Sequence, residues 1–240
     1  MTGTMNPLLS RLWPGRLVVT FHGIGTPART LDAGEAPYWV EAPVLAAAID
    51  LAAKGRLEIT FDDGNESDAR IALPMLQRAG VTATFFVLAG RLDKPGSLSR
   101  TQLQELARAG MAIGSHGHDH VDWTRADDTD LRRELWDSRA AIEDCLGAPV
   151  DSVSVPFGAF DARVLRLVAQ AGYRHVHTSS GTLAPRQGWL VPRHTIRQDT
   201  RLAQAVEAWT SWRARLVSAL RNELRGHKYR FSTSTAGPGR

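Results

Sequence analysis

The sequence predicts an α/β fold, an incomplete or irregular β/α barrel of six or seven units, on three observations. Short β-rich runs alternate with helical patterns along the first 200 residues. Most of these runs are apolar without strict alternation, as expected of parallel strands covered on both faces. Polar clusters follow several of them directly, at the carboxyl ends where such folds place function. A doubly wound open sheet fits the same order of elements.

The strands read as LVVTFH (17–22), LEITF (57–61), ATFFVL (83–88), MAIGS (111–115), SVSVP (152–156) and RHVHT (174–178), with VPRHTI (191–196) a candidate seventh. Helical periodicity lies between them at about 43–54, 66–79, 99–109, 129–146 and 160–171. Ser99 with Gln102 three residues on is a capping-box signature, and Gly80, Gly110 and Gly172 follow last turns.

A chain of 240 residues with 43% hydrophobic and 22% charged residues has the size and composition of one globular unit. No stretch approaches the ~18 consecutive apolar residues of a membrane span. The opening carries Pro7, Arg11, Pro14 and Arg16 where a signal peptide needs an unbroken apolar segment. The single cysteine, Cys145, excludes a disulfide within the chain and fits a reducing compartment. The expected location is cytoplasmic.

The net charge is +4, but residues 201–240 contribute +6 of it through Arg201, Arg213, Arg215, Arg221, Arg225, Lys228, Arg230 and Arg240 against Glu207 and Glu223. The first 200 residues therefore sum to −2, which argues against nucleic acid as a partner. This divides the chain into a barrel over 1–200 and a basic amphipathic helix with a disordered tail over 201–240.

Two carboxylates, Asp62 and Asp63, follow the second strand in TFDDG (60–64), where placement near a core demands a metal, a positive charge or hydrogen bonds. In an extended strand the two side chains diverge, so convergence requires the backbone to turn, which Gly64 allows. Three histidines in five residues, His116, His118 and His120, follow the fourth strand. His116 and His120 with Asp63 form a two-histidine, one-carboxylate set for zinc or a related divalent ion. His118 points away or lines the cleft.

TFDDG, LPMLQRAGVTATFFV, GSHGHDH and VPFGAFD, in that order, resemble the polysaccharide deacetylase family, the NodB-homology or carbohydrate esterase family four domain, over about residues 17–196. The resemblance implies an irregular, TIM-barrel-like (β/α)7 fold and metal-dependent removal of an N-acetyl group from an amino-sugar glycan or glycan precursor by metal-activated water. It assigns Asp62 as general base and Asp63, His116 and His120 as metal ligands, with zinc expected and cobalt, nickel or iron as alternatives. Phe157 matches the residue whose backbone N–H helps hold the oxyanion, with Pro156 and Gly158 shaping that turn and contacting substrate.

The departures lie in the acid and in a missing arginine. Members of the family often carry an Arg before the third motif and a late Leu-x-Leu-x-His, and neither is present here. His22 at the end of the first strand is the favoured catalytic candidate, with His175, His177 and His194 as the other candidates for the acid. Arg193 is a candidate to keep Asp62 ionised or to meet substrate. Trp13, Trp39, Trp123, Trp136 and Trp189 are candidates to line a sugar cleft, with Trp39 and Trp123 favoured.

From Leu202 the residues Val206, Trp209, Trp212, Leu216, Leu220 and Leu224 recur at helical spacing as one face. The expectation is that this stripe packs on the barrel. The alternative is peripheral contact with an anionic membrane on its inner face, which suits a lipid-linked sugar substrate. Two other functions compete with the deacetylase: a deformylase or other non-peptide C–N hydrolase, and a catalytically silent carbohydrate-binding protein.

Overall fold

A computed structural model describes residues 15–229 of the chain. Trp13, the opening segment and the expected tail over 230–240 lie outside the described residues. Among the described residues ten strands form: β1 (Val18–Phe21), β2 (Gly23–Ile24), β3 (Trp39–Val40), β4 (Glu58–Phe61), β5 (Thr84–Val87), β6 (Ala112–Ser115), β7 (Ser152–Ser154), β8 (His175–Thr178), β9 (Leu190–Pro192) and β10 (His194–Thr195). Eight of them make one all-parallel sheet in the order β10-β1-β4-β5-β6-β7-β8-β9. Since β9 and β10 are parts of one extended segment interrupted only at Arg193, this segment joins both edges and closes the sheet. The result is a (β/α)7 barrel, which decides against the open sheet.

Helices cover the outside. They are α1 (Ala42–Ala53), α2 (Leu73–Ala79), α3 (Arg100–Arg108), α4 (Asp128–Arg132), α5 (Ser138–Leu146), α6 (Ala162–Gln170), α7 (Leu202–Trp209) and α8 (Trp212–Lys228). The Ser99 hydroxyl accepts from the Gln102 N–H and the Gln102 side chain accepts from the Ser99 N–H, so α3 starts at the capping box. Outward side chains Val19, Phe21, Ile59, Phe61, Phe85, Val87, Val153 and Val176 are buried in the main apolar core beneath these helices. Phe21, Phe61 and Phe85 stack across three neighbouring strands at 5.7 and 4.6 Å.

Three helical stretches differ from the sequence reading. The helices expected over 66–79 and 129–146 contain π-turns at Asp68–Ala72 and Arg133–Asp137, a device that admits one extra residue and is common near functional sites. The C-terminal stripe is two helices, because Thr210 ends α7 and the Ser211 hydroxyl caps α8 by accepting from the Ala214 N–H. Leu202 and Val206 enter the core, whereas Trp212, Leu216, Leu220 and Leu224 are exposed. The stripe therefore packs on the barrel in its first half only.

The barrel interior is small and polar in its middle layer. Gly114 of β6 sits opposite Phe86 of β5, and a Cβ there would overlap the Phe86 ring and lie 2.9 Å from the Ser152 carbonyl. The Gly114→Ala variant is expected to lose about 1–3 kcal/mol through this overpacking, read as a lower urea midpoint at unchanged m-value.

Candidate active site

Asp62, Asp63, His22, His116, His120 and Phe157 line one cavity of about 590 Å³ at the carboxyl ends of the strands. The backbone turn that brings Asp62 and Asp63 out of strand geometry spans Asp63 and Gly64, whose φ values are +76° and +67°. Asp62 then points into the barrel and Asp63 toward the histidines. His120 and Phe157 also have positive φ, +59° and +57°. Thus three of the four described non-glycine residues in this region of backbone space are at the site, a concentration of strain typical of functional positions.

Asp63 Oδ1 is buried and has no hydrogen-bond partner. His116 Nε2 lies 3.4 Å from it and His120 Nε2 3.6 Å. The His116 Nδ1 meets the Ser154 carbonyl oxygen at 2.9 Å, which fixes the tautomer and leaves Nε2 free to coordinate. Donor separations of this size match the edges of a tetrahedron around a divalent ion with bonds of about 2.0–2.2 Å. The three residues fit a metal, and an orphaned buried carboxylate oxygen is what such an ion would satisfy. Burial pushes His120 down to about 4, with His116 and Arg91 adding to it against the pull of Asp63, so the imidazole is neutral near pH 7 as a ligand must be.

Arg193 answers the missing arginine. Its side chain is 0% exposed and fills the barrel interior, with Nη1 donating to Asp62 Oδ1 at 2.8 Å and Nη2 to Asp62 Oδ2 at 2.7 Å. The same guanidinium donates to Thr20, Thr60 and Ser154, from β1, β4 and β7. Burial alone would raise the Asp62 pKa, but the Arg193 charge, then those of His116 and His22, hold it well below the usual carboxylate range. A fully buried Arg193 does not meet substrate, which corrects that part of the sequence reading.

The other candidates separate clearly. His175 is exposed at the start of β8, the wrong end of the barrel. His177 is buried against the Phe86 ring at 4.6 Å. His194 faces outward and stacks on Trp209 at 4.2 Å, and burial pushes it down to about 4. Only His22 lines the cavity, tilted against Tyr38 at 5.0 Å, with a buried Nδ1 that has no partner. Trp39 is 4% exposed, with Nε1 donating to Glu35, and Trp123 is fully buried with Nε1 donating to Glu134, so neither lines a sugar cleft. Pro156 and Gly158 lie behind Phe157 and shape its turn without lining the cavity. His118 points away toward Asp119 and Arg133.

Sequence reasoning missed the residues that hold the site. Glu134, buried in a π-turn, accepts from the His118 and Asp119 N–H groups and from the Trp123 indole, and so clamps the loop between the two histidines. Arg29 binds Glu35 and Asn65, and the Asn65 amide donates to the His22 carbonyl. Arg91 pairs with Asp32 at 2.7 Å across the cavity rim. An acidic residue on an amphipathic helix or a charged loop gives no periodic signal of such roles.

Asp68, the first residue of the other π-turn, is fully buried and neither of its carboxyl oxygens has a partner. Burial, reinforced by the charges of Asp63 and Asp62, raises it well above its ordinary 3.8, so it is a neutral acid in the fold. The folded state then keeps a proton that the unfolded chain releases above about pH 4, and wild-type stability declines as pH rises from there toward the folded pKa. The stability gain of Asp68→Asn over wild type, from urea melts of the metal-free protein, is expected to be small at about pH 4 and to grow toward pH 8. A difference independent of pH would contradict a neutral Asp68.

The sequence profile of the polysaccharide deacetylase family matches residues 52–176, more than half of the chain. The chitooligosaccharide deacetylase of Rhizobium leguminosarum bv. trifolii is 35% identical over 124 residues, 50% of this chain and 55% of that protein. The peptidoglycan-N-acetylglucosamine deacetylase PgdA of Listeria monocytogenes is 31% identical over 110 residues, 45% of this chain and 23% of that protein. The matches thus span little more than half of these relatives, or less. Among solved structures, the Streptococcus pyogenes deacetylase PplD in complex with acetate superposes with a TM-score of 0.69 at 18% identity, over 81% of this chain and 99% of that one. IcaB from Ammonifex degensii superposes with a TM-score of 0.65 at 19% identity, over 82% and 97%. The fold is shared with these two, and the profile match makes the chain a member of the polysaccharide deacetylase family.

Proposed function

We propose that the protein is a metal-dependent hydrolase that removes an N-acetyl group from an amino-sugar glycan or glycan precursor. The observation that carries this is the convergence of Asp63, His116 and His120 on one donor sphere beside an ionised, buried Asp62. Relatives named for chitooligosaccharide and peptidoglycan substrates support the glycan class.

A divalent ion held by Asp63, His116 and His120 would polarise the acyl oxygen and lower the pKa of water, a role in which zinc is the expected ion. Asp62 takes the proton of the attacking water, and Arg193 keeps it ionised and aimed. The Phe157 backbone N–H, presented by a left-handed turn, supports the oxygen on which charge develops. His22 gives its proton to the departing amine as the C–N bond breaks, leaving acetate and a free amino sugar. Its place on the cavity wall, with the other three candidates for the acid, His175, His177 and His194, elsewhere, favours it for this step.

Acetate release from N-acetylated chitooligosaccharides tests the reading. Chelation is expected to reduce it to background and zinc or cobalt to restore it. Asp63→Ala should lose the ion by elemental analysis and resist restoration, while Asp62→Asn should keep the ion and lose about 10²–10⁴-fold in kcat. Release that is indifferent to chelator, or glycan binding without turnover, would overturn it.

The Arg193 contacts predict a pH signature. With Arg193→Lys the bidentate pair is lost, the Asp62 pKa rises, and the base is protonated at higher pH. The acidic limb of the kcat/KM profile is therefore expected to move to higher pH with KM little changed. An unmoved limb would separate Arg193 from the base.

A further inference from the structure

Helix α8 is turned the opposite way from an ordinary surface helix. Its polar side faces the barrel: the Ser218 hydroxyl accepts from the Leu183 N–H, the Asn222 amide donates to the Leu183 carbonyl, and Arg225 donates to Thr182. Its apolar side faces out, with Trp212 70%, Leu216 52%, Val217 43%, Leu220 53% and Leu224 68% exposed. Only Val121 and Phe157 join these five among the described large hydrophobics that are exposed. The row Trp212, Leu216, Leu220 and Leu224 recurs every four residues with Val217 beside it, while Arg213 and Glu223 are set among these side chains, and an exposed apolar row of this kind marks an interaction surface.

The charges identify the partner. Arg213, Arg221 and Lys228 are exposed on α8, and Glu223 is the only acidic residue within it. Arg213 lies 5.3 Å from the Trp212 ring, a pairing of aromatic and cation suited to the level of lipid headgroups. A second copy would set these cations against the same cations. We propose that α8 docks the protein on an anionic lipid bilayer, its apolar stripe entering the acyl boundary and Arg213, Arg221 and Lys228 meeting the headgroups.

The placement of α8 gives this docking a consequence. Thr210, which ends α7, and Arg215, in the first turn of α8, border the same cavity as Leu17 and Glu58 at the amino-terminal ends of β1 and β4. At the other end Tyr229 packs on Phe160 at 5.9 Å, three residues past Phe157 on the wall of the catalytic cavity. The helix therefore runs along the side of the barrel toward its mouth, so a bilayer on its outer face brings the mouth to the headgroup layer. A glycan carried on a lipid would meet the site there.

The test is flotation of the full chain with vesicles of phosphatidylcholine alone and of phosphatidylcholine with about 30% phosphatidylglycerol. The wild type is expected to bind the anionic vesicles selectively. Leu216→Gln with Leu220→Gln should weaken that binding at least ~10-fold. Each of Arg213→Gln, Arg221→Gln and Lys228→Gln should weaken it about fivefold and in a salt-dependent way. All these positions are exposed, so an unchanged thermal melt of each variant confirms that the fold is intact. No wild-type binding, binding that survives the leucine changes, or a wild-type dimer that the leucine changes dissolve would overturn the proposal. Turnover is not the readout, so failure here leaves the deacetylase reading standing.

Discussion

A guanidinium and a carboxylate withdrawn from water meet inside the barrel, and the rest of the site depends on that pair. Isolated burial of either charge is prohibitive, and a buried pair alone often fails to recover its desolvation. Here the recovery is shared, because Arg193 also donates to hydroxyls from three strands while holding both oxygens of Asp62. This accounts for Thr20, Thr60 and Ser154 in an interior that apolar residues would otherwise fill. It also couples two events, since Arg193 is the single residue between the segment that pairs with β8 and the segment that pairs with β1. The barrel closes and the base acquires its counter-charge through the same residue.

The second constraint is conformational. Asp63, His120 and Phe157 all hold left-handed backbone, each at a cost of order 1–3 kcal/mol. Such geometry persists only where surroundings over-determine it. For His120 the surroundings are Glu134, which receives two backbone N–H groups of the loop, and the contact of the Ser115 hydroxyl with the Gly117 N–H. The π-turn at Arg133–Asp137 supplies both Glu134 and, one residue past its end, Ser138 at 3.0 Å from Ser115. An ordinary α-turn would rotate one of them away from the loop.

What the sequence made legible was whatever has a local period or a local chemical density. The strands, the acidic pair, and His116 with His120 are of that kind, and the structure places all of them together. Arg193 was legible only as an ambiguity, because its partner is Asp62, 131 residues earlier, and no pattern reports a contact at that separation. The same holds for the histidine candidates. His177 and His194 sit one strand apart in chain order, yet one faces inward onto Phe86 and the other outward onto Trp209, an alternation set by the barrel register and not by any local pattern. Trp39 misled for a further reason: a flat ring suits a sugar face and a glycine-flanked core equally well, and here it covers Gly23.

The contrast between α7 and α8 shows why an unbroken apolar stripe does not reveal which face is buried. Both helices have apolar residues at the same spacing, and α7 follows the ordinary rule by burying Leu202 and Val206. Beneath α8 lies Leu183, whose backbone N–H and carbonyl find their partners in the Ser218 and Asn222 side chains. Leaving such groups buried and unpaired costs more than exposing an apolar side chain that water tolerates at a modest penalty. The surface under the helix therefore demanded polar side chains, and the polar side turned inward to supply them. The apolar side was left facing out by the same choice, which makes its exposure a structural necessity of this loop and leaves it available for a partner.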